Sequence, residues 1–288
     1  MKKITIGGIA LVIGASALIA CIQKPAYISP EGYDFTKPVK YNVPAELNEI
    51  SGIAFNKGNT DKVYAESDET GKVYYFKLGD KKVNATSFKD NGDFEDIAIS
   101  DNQVIMLQSK GVLFSIPLTE IGKPQTEQAQ RSKNLLPEGE YEGLYANENG
   151  EVYALCKHCT TDKTSKQSSG YIFQLGADGL LNPSGNFSVN VKHIEDLLEV
   201  DKINFHPSAL ARSPLSNDWY ILSSVNRILV IADSKWKIRQ VYKLNPNLFS
   251  QPEGMTFDSQ NNLYISNEAH TPVPGNILKF TYKNNAIK

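Results

Sequence analysis

The sequence predicts an all-β fold: a single β-propeller of five four-stranded blades, preceded by a signal peptide. Two observations carry this prediction. A short motif recurs five times along the chain, and each copy is followed by further β-like runs separated by turns. The 14 Tyr and 12 Phe residues favour strands over helices. Four short strands repeated at a period near 45 residues are typical of propeller blades.

The copies of the motif read EISGIAF, EDIAIS, EGLYAN, SALARS and EGMTFD, and begin at Glu49, Glu95, Glu142, Ser208 and Glu253. Their starts lie 46, 47, 66 and 45 residues apart. The long interval contains a polar loop over Thr160–Ser169 and a predicted short helix over His193–Val200, where apolar residues are spaced for one helix face. A sixth, degenerate blade within residues 160–200 is the alternative.

The two ends of the propeller are predicted to share a blade. The last copy of the motif is followed by only two further β-like runs, so its blade lacks a fourth strand. The segment Val39–Val43 precedes the first copy as the fourth strands precede the others. We therefore expect Val39–Val43 to complete the last blade and close the ring. We assign residues 39–288 to the propeller domain.

The N-terminus is typical of an exported protein. Lys2 and Lys3 precede 17 apolar residues, and polar chain follows at once, which indicates a signal peptide over residues 1–20. The string Leu18-Ile19-Ala20-Cys21 resembles the lipobox of bacterial lipoproteins, in which the Cys thiol is acylated; the alternative is an ordinary secretory signal with a chance Cys. Residues 21–38 are interpreted as the lipidated Cys21 and an extended tether. We expect a lipoprotein of the cell envelope, periplasmic or on the outer membrane or cell surface, held to a membrane by its lipid.

Composition limits the partners. Hydrophobic residues make up 41% of the chain and charged residues 22%, as in ordinary globular proteins. The net charge is −2, and cleavage after residue 20 leaves 28 basic against 32 acidic residues. There is no basic stripe of the kind that nucleic-acid binding needs. We expect a monomer that binds an unknown small molecule or protein, and no nucleic acid.

Several strings resemble one family. They are EISGIA with SDE, HPSALA from His206, and Gln251-Pro252-Glu253-Gly254 with NLYISNEA. Over roughly residues 40–285 the chain resembles the SdiA-regulated family of bacterial propellers, and the final repeat is the most specific part. The resemblance implies a propeller related to esterase-like and phytase-like groups, often with a bound divalent cation. It implies no settled activity.

The repeat predicts a cluster of carboxylates at one mouth of the central channel. First strands line the channel of a propeller, so the motif places four carboxylates and one hydroxyl around the axis: Glu49, Glu95, Glu142, Glu253 and Ser208. Loops after the second strands add further ligand candidates: Asp68, Ser223, Asn267 and Glu268. Four carboxylates repel unless protonated or neutralised by a cation, and oxygen ligands suit Ca²⁺, or Mg²⁺ with retained waters. The alternative is that the glutamates accept backbone hydrogen bonds and fix blade packing.

The remaining chemical signal is Cys156-Lys157-His158-Cys159. In an exported protein a disulfide between Cys156 and Cys159 is the first expectation, with a redox-active pair, or a metal site or free thiols, as alternatives. Two functions remain open. One is a non-catalytic protein that binds a divalent cation and a ligand or partner at the mouth. The other is a metal-dependent hydrolase, either a lactonase or esterase or a phytase-like phosphoesterase.

Overall fold

The computed structural model describes residues 27–162 and 165–284 of the chain. The predicted signal peptide, Cys21 and the first part of the predicted tether lie outside the described residues. Among the described residues, no helix is long and apolar enough to cross a membrane.

Twenty strands form five antiparallel sheets of four strands, which confirms the predicted five-bladed propeller. Blades 1 and 2 consist of β2 (Ile50–Asn56), β3 (Asn59–Ser67), β4 (Thr70–Phe76), β5 (Asn84–Asn91), β6 (Phe94–Ser100), β7 (Gln103–Gln108), β8 (Leu113–Pro117) and β9 (Gln130–Ser132). Blades 3 and 4 consist of β10 (Gly139–Ala146), β11 (Glu151–Cys159), β12 (Gln167–Leu175), β13 (Leu181–Asn190), β14 (Ala209–Arg212), β15 (Trp219–Ser223), β16 (Ile228–Ala232) and β17 (Ile238–Lys243). Blade 5 consists of β18 (Pro252–Phe257), β19 (Leu263–Asn267), β20 (Asn276–Phe280) and β1 (Val39–Asn42).

The chain ends meet in blade 5, as the strand count predicts. Strand β1 pairs antiparallel with β20, with Val39 opposite Lys279 and Asn42 opposite Asn276. An N-terminal strand therefore supplies the outer edge of the last blade. The ring is closed by main-chain hydrogen bonds between the two ends of the domain.

The long interval between the third and fourth motifs is filled without a sixth blade. Strands β12 and β13 have 9 and 10 residues, and helix α1 (Val191–Leu198) follows them. The Asn190 side chain caps this helix by accepting the backbone N–H of His193 at 3.0 Å. Part of the predicted polar loop is the start of β12. Short 3₁₀ turns cover Ala45–Leu47, Leu118–Glu120 and Thr160–Asp162.

The described part of the predicted tether packs on the propeller. Tyr33 and Phe35 are 8% and 6% exposed and belong to the apolar core shared by blades 4 and 5. The Phe35 ring lies 4.5 Å from that of Phe280, and the Tyr33 hydroxyl donates to the carbonyl of Asn261 at 2.7 Å. Aromatic burial thus anchors residues 33–35 on the domain, so an extended tether does not describe this part of the segment.

Blade-to-blade contacts require a small residue in the motif. A Cβ added to Gly52 would overlap the Asp96 side chain and the Ile97 backbone of blade 2. A Cβ added to Gly254 would overlap the carbonyl of Ser51 in blade 1. These two glycines lie where neighbouring first strands approach each other closely, which explains the Gly at this position in blades 1 and 5.

Candidate functional site: an acidic channel mouth

The five first strands surround one axis. Each of β2, β6, β10, β14 and β18 contacts the next in ring order, and β18 contacts β2. Because first and second strands are antiparallel, the start of each first strand lies beside the end of its second strand. The structure therefore brings the predicted motif positions and the predicted loop positions to one mouth of the channel.

A β-bulge marks the motif glutamate in three blades. Between Phe94 paired with Gln108 and Asp96 paired with Leu107, the ladder leaves Glu95 without a partner. The same register shift leaves out Glu142 in blade 3 and Glu253 in blade 5. A bulge bends the strand and re-aims a side chain, so one irregularity repeated in three blades presents three carboxylates at the same level of the channel.

In blade 1 the equivalent residue is Ser51 and not Glu49. The pair Ile50 and Ser67 corresponds to Phe94 and Gln108 in blade 2, which makes Ser51 the counterpart of Glu95. Glu49 is exposed in the turn before β2. Its carboxylate still raises the pKa of Asp68 and Glu268, so it lies near the same mouth. The repeat of four glutamates predicted from the motif therefore does not extend to this blade, because strand pairing aligns Ser51, two residues after Glu49, with Glu95 and Glu253.

The five equivalent first-strand positions, here called the first-strand ring, are Ser51, Glu95, Glu142, Ser208 and Glu253. The neighbouring second-strand positions, here called the second-strand ring, are Asp68, Ser109, Lys157, Ser224 and Glu268. Lys157 lies in a bulge within β11, and the other four lie just past the ends of their second strands. Five carboxylates and one ammonium group thus lie among ten positions.

The two rings are joined by hydrogen bonds. Lys157 Nζ donates to Glu142 Oε1 within blade 3. The backbone N–H of Ser224 donates to Ser208 Oγ at 3.2 Å within blade 4. Across blades, Ser51 Oγ donates to Glu268 Oε1 at 3.3 Å. Each of these bonds joins one first-strand position to one second-strand position.

Two of the predicted ligand residues do not belong to either ring. Ser223 is fully buried, and its hydroxyl donates to the carbonyl of His206 at 2.7 Å. Asn267 is also fully buried, and its amide donates to Asn276 Oδ1 at 3.2 Å. Side chains alternate along a strand, so these residues point opposite to their neighbours Ser224 and Glu268, and they fix loops instead.

Burial and mutual repulsion raise the pKa values of the carboxyl groups in the first-strand ring. Burial raises the pKa of Glu95 to about 8, and the carboxylates of Glu142 and Asp93 add to the rise. Burial also raises the pKa of Glu142 to about 7, against the opposing effect of its hydrogen bond from Lys157. The pKa of Glu253 is raised to about 7 by burial and then by Glu268. A positive charge placed among these carboxylates would lower their pKa values.

The second-strand ring shows the same effect. Burial raises the pKa of Glu268 to about 7, with Asp68 the largest charge contribution. Burial raises the pKa of Asp68 to about 6, helped by Asp93 and Glu49. Burial lowers the pKa of Lys157, but the hydrogen bond and charge of Glu142 outweigh burial and raise it above its ordinary value. The ammonium group therefore stays charged beside the carboxylates.

Two buried acidic residues beneath the mouth were not predicted from the sequence. Asp96 is 3% exposed, and its two oxygens accept the backbone N–H groups of Ile97 at 2.8 Å and Leu144 at 2.7 Å. Glu66 is fully buried, and its Oε1 accepts the N–H of Gly52 at 2.6 Å. Burial raises the pKa of both well above the ordinary value. Asp96 thus fills the blade-joining role that the alternative hypothesis gave to the glutamates.

A signal for both acids exists in the repeat. Asp96 stands where the other copies of the motif have a small residue, as at Gly143 and Ala209. Glu66 stands where blade 2 has Leu107 and blade 3 has Leu155. An alignment of the five copies therefore shows both acids, because the other blades have small or apolar residues at these positions.

The mouth suits a hydrated cation better than a bare one. Within residues 27–162 and 165–284, only Cys156, Cys159 and Asp162 place three potential ligand atoms within 4.8 Å of one another. No three carboxylates of the two rings do so. Direct coordination by several carboxylates is therefore not preformed. A Ca²⁺ or Mg²⁺ ion at the mouth would have to keep some of its water ligands, and the oxygen chemistry of the side chains suits such an ion.

The predicted disulfide is present. Cys156 and Cys159 are bonded, with Cα atoms 6.0 Å apart, and both are 1% exposed. Since both sulfurs are engaged in this bond, the group with Asp162 is not a metal site. Beside the disulfide a cavity of about 560 Å³ opens between the loop after β11 and the segment leading into β14. His158 and His206 line this cavity with their ring centroids 6.0 Å apart.

The channel has a second mouth at the far ends of the first strands. A cavity of about 320 Å³ lies there, and its polar lining mixes signs: Lys57, Asn147, Glu148, Arg212 and Asp258. The concentration of carboxylates is thus a property of one mouth only among the described residues.

Comparisons with known proteins agree with the fold. No curated protein sequence matches the chain. Among solved structures, a glutaminyl cyclase of Myxococcus xanthus is 12% identical, with 85% of this chain and 96% of that chain covered and a TM-score of 0.56. A luciferin-regenerating enzyme is 10% identical over 88% and 97% of the two chains, with a TM-score of 0.51. A calcium-binding protein, regucalcin, from Agrobacterium tumefaciens strain C58 is 10% identical over 88% and 95%, with a TM-score of 0.49.

Identities this low show the fold alone. A sequence comparison adds a match over about a third of the chain, within the last strand of blade 3, blade 4 and blade 5. Residues 182–272 of this chain match the SdiA-regulated family, the family that the repeat motifs resemble.

Proposed function

We propose that this protein is a lipid-anchored binding propeller of the cell envelope that takes a divalent cation, Ca²⁺ or Mg²⁺, together with a ligand or partner at its acidic mouth. The observation that carries the proposal is the meeting of Glu95, Glu142 and Glu253 at one level of the channel, each with a raised pKa. Buried carboxylates that repel one another are stabilised by an external cation. The lipid anchor rests on the lipobox that ends at Cys21.

The composition of the mouth favours binding over phosphate-ester hydrolysis. A site for phosphorylated substrates collects Arg and Lys around the phosphate oxygens. Among the ten positions of the two rings the single basic residue is Lys157, and its ammonium group is already paired with Glu142. A hydrolase acting on a neutral ester or lactone stays the second candidate, because metal-activated water needs no protein nucleophile.

The proposal is tested by thermal unfolding of the detergent-solubilised protein with chelator, Ca²⁺ or Mg²⁺. A cation that binds only the folded state adds about 2.7 kcal/mol at one hundred times its Kd. We expect EDTA to lower the melting temperature and one of the two cations to restore it in a saturable way. Glu95→Gln and Glu253→Gln should weaken the response, since each removes one charge and keeps the shape.

Glu148→Gln is the matched control, since this exposed glutamate lies at the opposite mouth. It should leave the response unchanged. A melting temperature indifferent to EDTA and to millimolar Ca²⁺ and Mg²⁺ would contradict the cation site. Turnover of neutral esters or lactones that needs the cation would instead favour the hydrolase.

A further inference from the structure

Lys157 occupies its place because of two compensating bulges in blade 3. The ladder between β10 and β11 pairs Glu140 with His158 and then Tyr141 with Cys156, which leaves out Lys157. The next register shift leaves out Glu142 on the partner strand. The two residues without ladder partners are the two that form the ion pair.

The disulfide brackets the same bulge. Cys156 and Cys159 lie on either side of Lys157 and His158, and both are buried. The bond limits how far the backbone at Lys157 can rearrange, since it closes a loop of only four residues. It therefore holds the backbone at the start of the Lys157 side chain in place at the mouth, and that side chain is 28% exposed.

The surroundings of the ammonium group are those of a bound cation. Lys157 donates to Glu142, and the charges of Glu95 and Glu253 also raise its pKa. The charge of Lys157 in turn lowers the pKa of Asp68. The equivalent residues in the other blades are acidic or carry a hydroxyl group. Lys157 also lines the 560 Å³ cavity beside the disulfide, which offers a second place for its side chain.

We propose that Lys157 is a tethered cation that competes with external cations for the mouth and turns into the neighbouring cavity when one of them binds. This inference rests on the proposed function and adds how the site sets its affinity. An external cation must displace an ammonium group that is already paired with Glu142. When a monovalent ion replaces the ammonium group, the net charge at the mouth is unchanged. When a divalent ion replaces it, the mouth gains one further positive charge. The tethered ammonium group thus weakens binding in general and favours divalent over monovalent cations.

The test compares Ca²⁺ and Mg²⁺ binding to the detergent-solubilised wild type and to Lys157→Met by isothermal titration calorimetry. Removing one positive charge among partly buried carboxylates should tighten binding about tenfold or more. The double variant Glu142→Gln/Lys157→Met removes the pair and keeps the ring charge, so its affinity should return towards that of the wild type. Lys110→Met, an exposed lysine in the loop after β7, is the control and should bind like the wild type.

A second readout covers the case in which Lys157→Met does not fold. Glu142→Gln leaves the ammonium group in place without its partner, so binding should weaken about tenfold or more. Increased competition by 100 mM K⁺ in the double variant, relative to the wild type, would support the role in selectivity. Cation binding that is unchanged by all of these substitutions would overturn the inference and leave the proposed function standing. Absence of cation binding in the wild type and in every variant would overturn the proposed function, and the inference with it.

Discussion

Asp96 of blade 2 accepts the backbone N–H of Leu144 in blade 3, with 2.7 Å between Oδ2 and N. Its other oxygen accepts the N–H of Ile97 in its own strand. One buried carboxyl group therefore joins two neighbouring first strands directly beneath the acidic mouth. This contact makes the spacing of Glu95 and Glu142 depend on a residue that does not face the solvent.

Asp96→Ala should destabilise the fold. It leaves two buried N–H groups without acceptors, at a cost of about 1–3 kcal/mol each. This cost is partly offset because a carboxyl group no longer has to be buried. We expect a net loss of about 2–4 kcal/mol, measured as the free energy of unfolding in urea. Asp178→Ala, which removes an exposed turn carboxylate, should cost less than about 1 kcal/mol. Equal effects of the two substitutions would contradict the role of Asp96.

Phe35 should be part of the folded domain. Its ring packs against Phe249 at 5.5 Å and Phe280 at 4.5 Å. Phe35→Ala should therefore cost about 3–5 kcal/mol of the free energy of unfolding. A protein that begins at residue 39 should be less stable than one that begins at residue 27. The same melting temperature for both would show that residues 27–38 contribute nothing to the domain.

Glu195 should make stability sensitive to acid. The hydrogen bonds from Lys166 and from the N–H of Ile203 lower its pKa in the folded protein. A depressed carboxyl pKa contributes stability that is present above the unfolded pKa, near 4.3, and is lost as the pH falls through the folded pKa. Urea unfolding between pH 3 and 7 should show that the wild type loses its advantage over Glu195→Gln only below about pH 4.5. An advantage that is constant down to pH 3 would contradict this, and Lys166→Met should reduce the effect.

The disulfide should stabilise the propeller modestly. A four-residue loop corresponds to about 2 kcal/mol in the chain-entropy description. Cys156→Ser/Cys159→Ser should lose about that amount in urea unfolding. Mass spectrometry of a non-reduced digest should find the two cysteines in one linked peptide. Two freely alkylating thiols in protein from the exported compartment would count against the bond.

Cys21 is expected to carry the lipid. Replacing it with Ser should abolish incorporation of labelled palmitate and release the protein from membranes, because several acyl chains on one residue provide the anchor. Cys156→Ser/Cys159→Ser should leave the labelling intact. Continued labelling and membrane association of Cys21→Ser protein would refute the lipobox interpretation.

Much of the architecture is readable from the amino-acid sequence. Alternating apolar residues in four runs per 45 residues suffice to predict five blades, because each strand must bury one face between its neighbours. The missing strand at the C-terminus predicts the pairing of Val39–Asn42 with β20. The repeat of acidic residues likewise predicts which mouth of the channel concentrates negative charge.

The identity of the residues at that mouth was decided by tertiary structure. Strand pairing places Ser51, two residues after Glu49, at the position that the motif alone assigns to Glu49, and a bulge in β11 turns Lys157 towards Glu142. The burial of Tyr33 and Phe35 depends on aromatic partners more than 200 residues away, which no local pattern contains. By itself the sequence determined the blades, the ring closure and the acidic mouth, since those follow from local periodicity. Only the tertiary structure decided which side chains meet there, because register shifts and long-range packing aim each one.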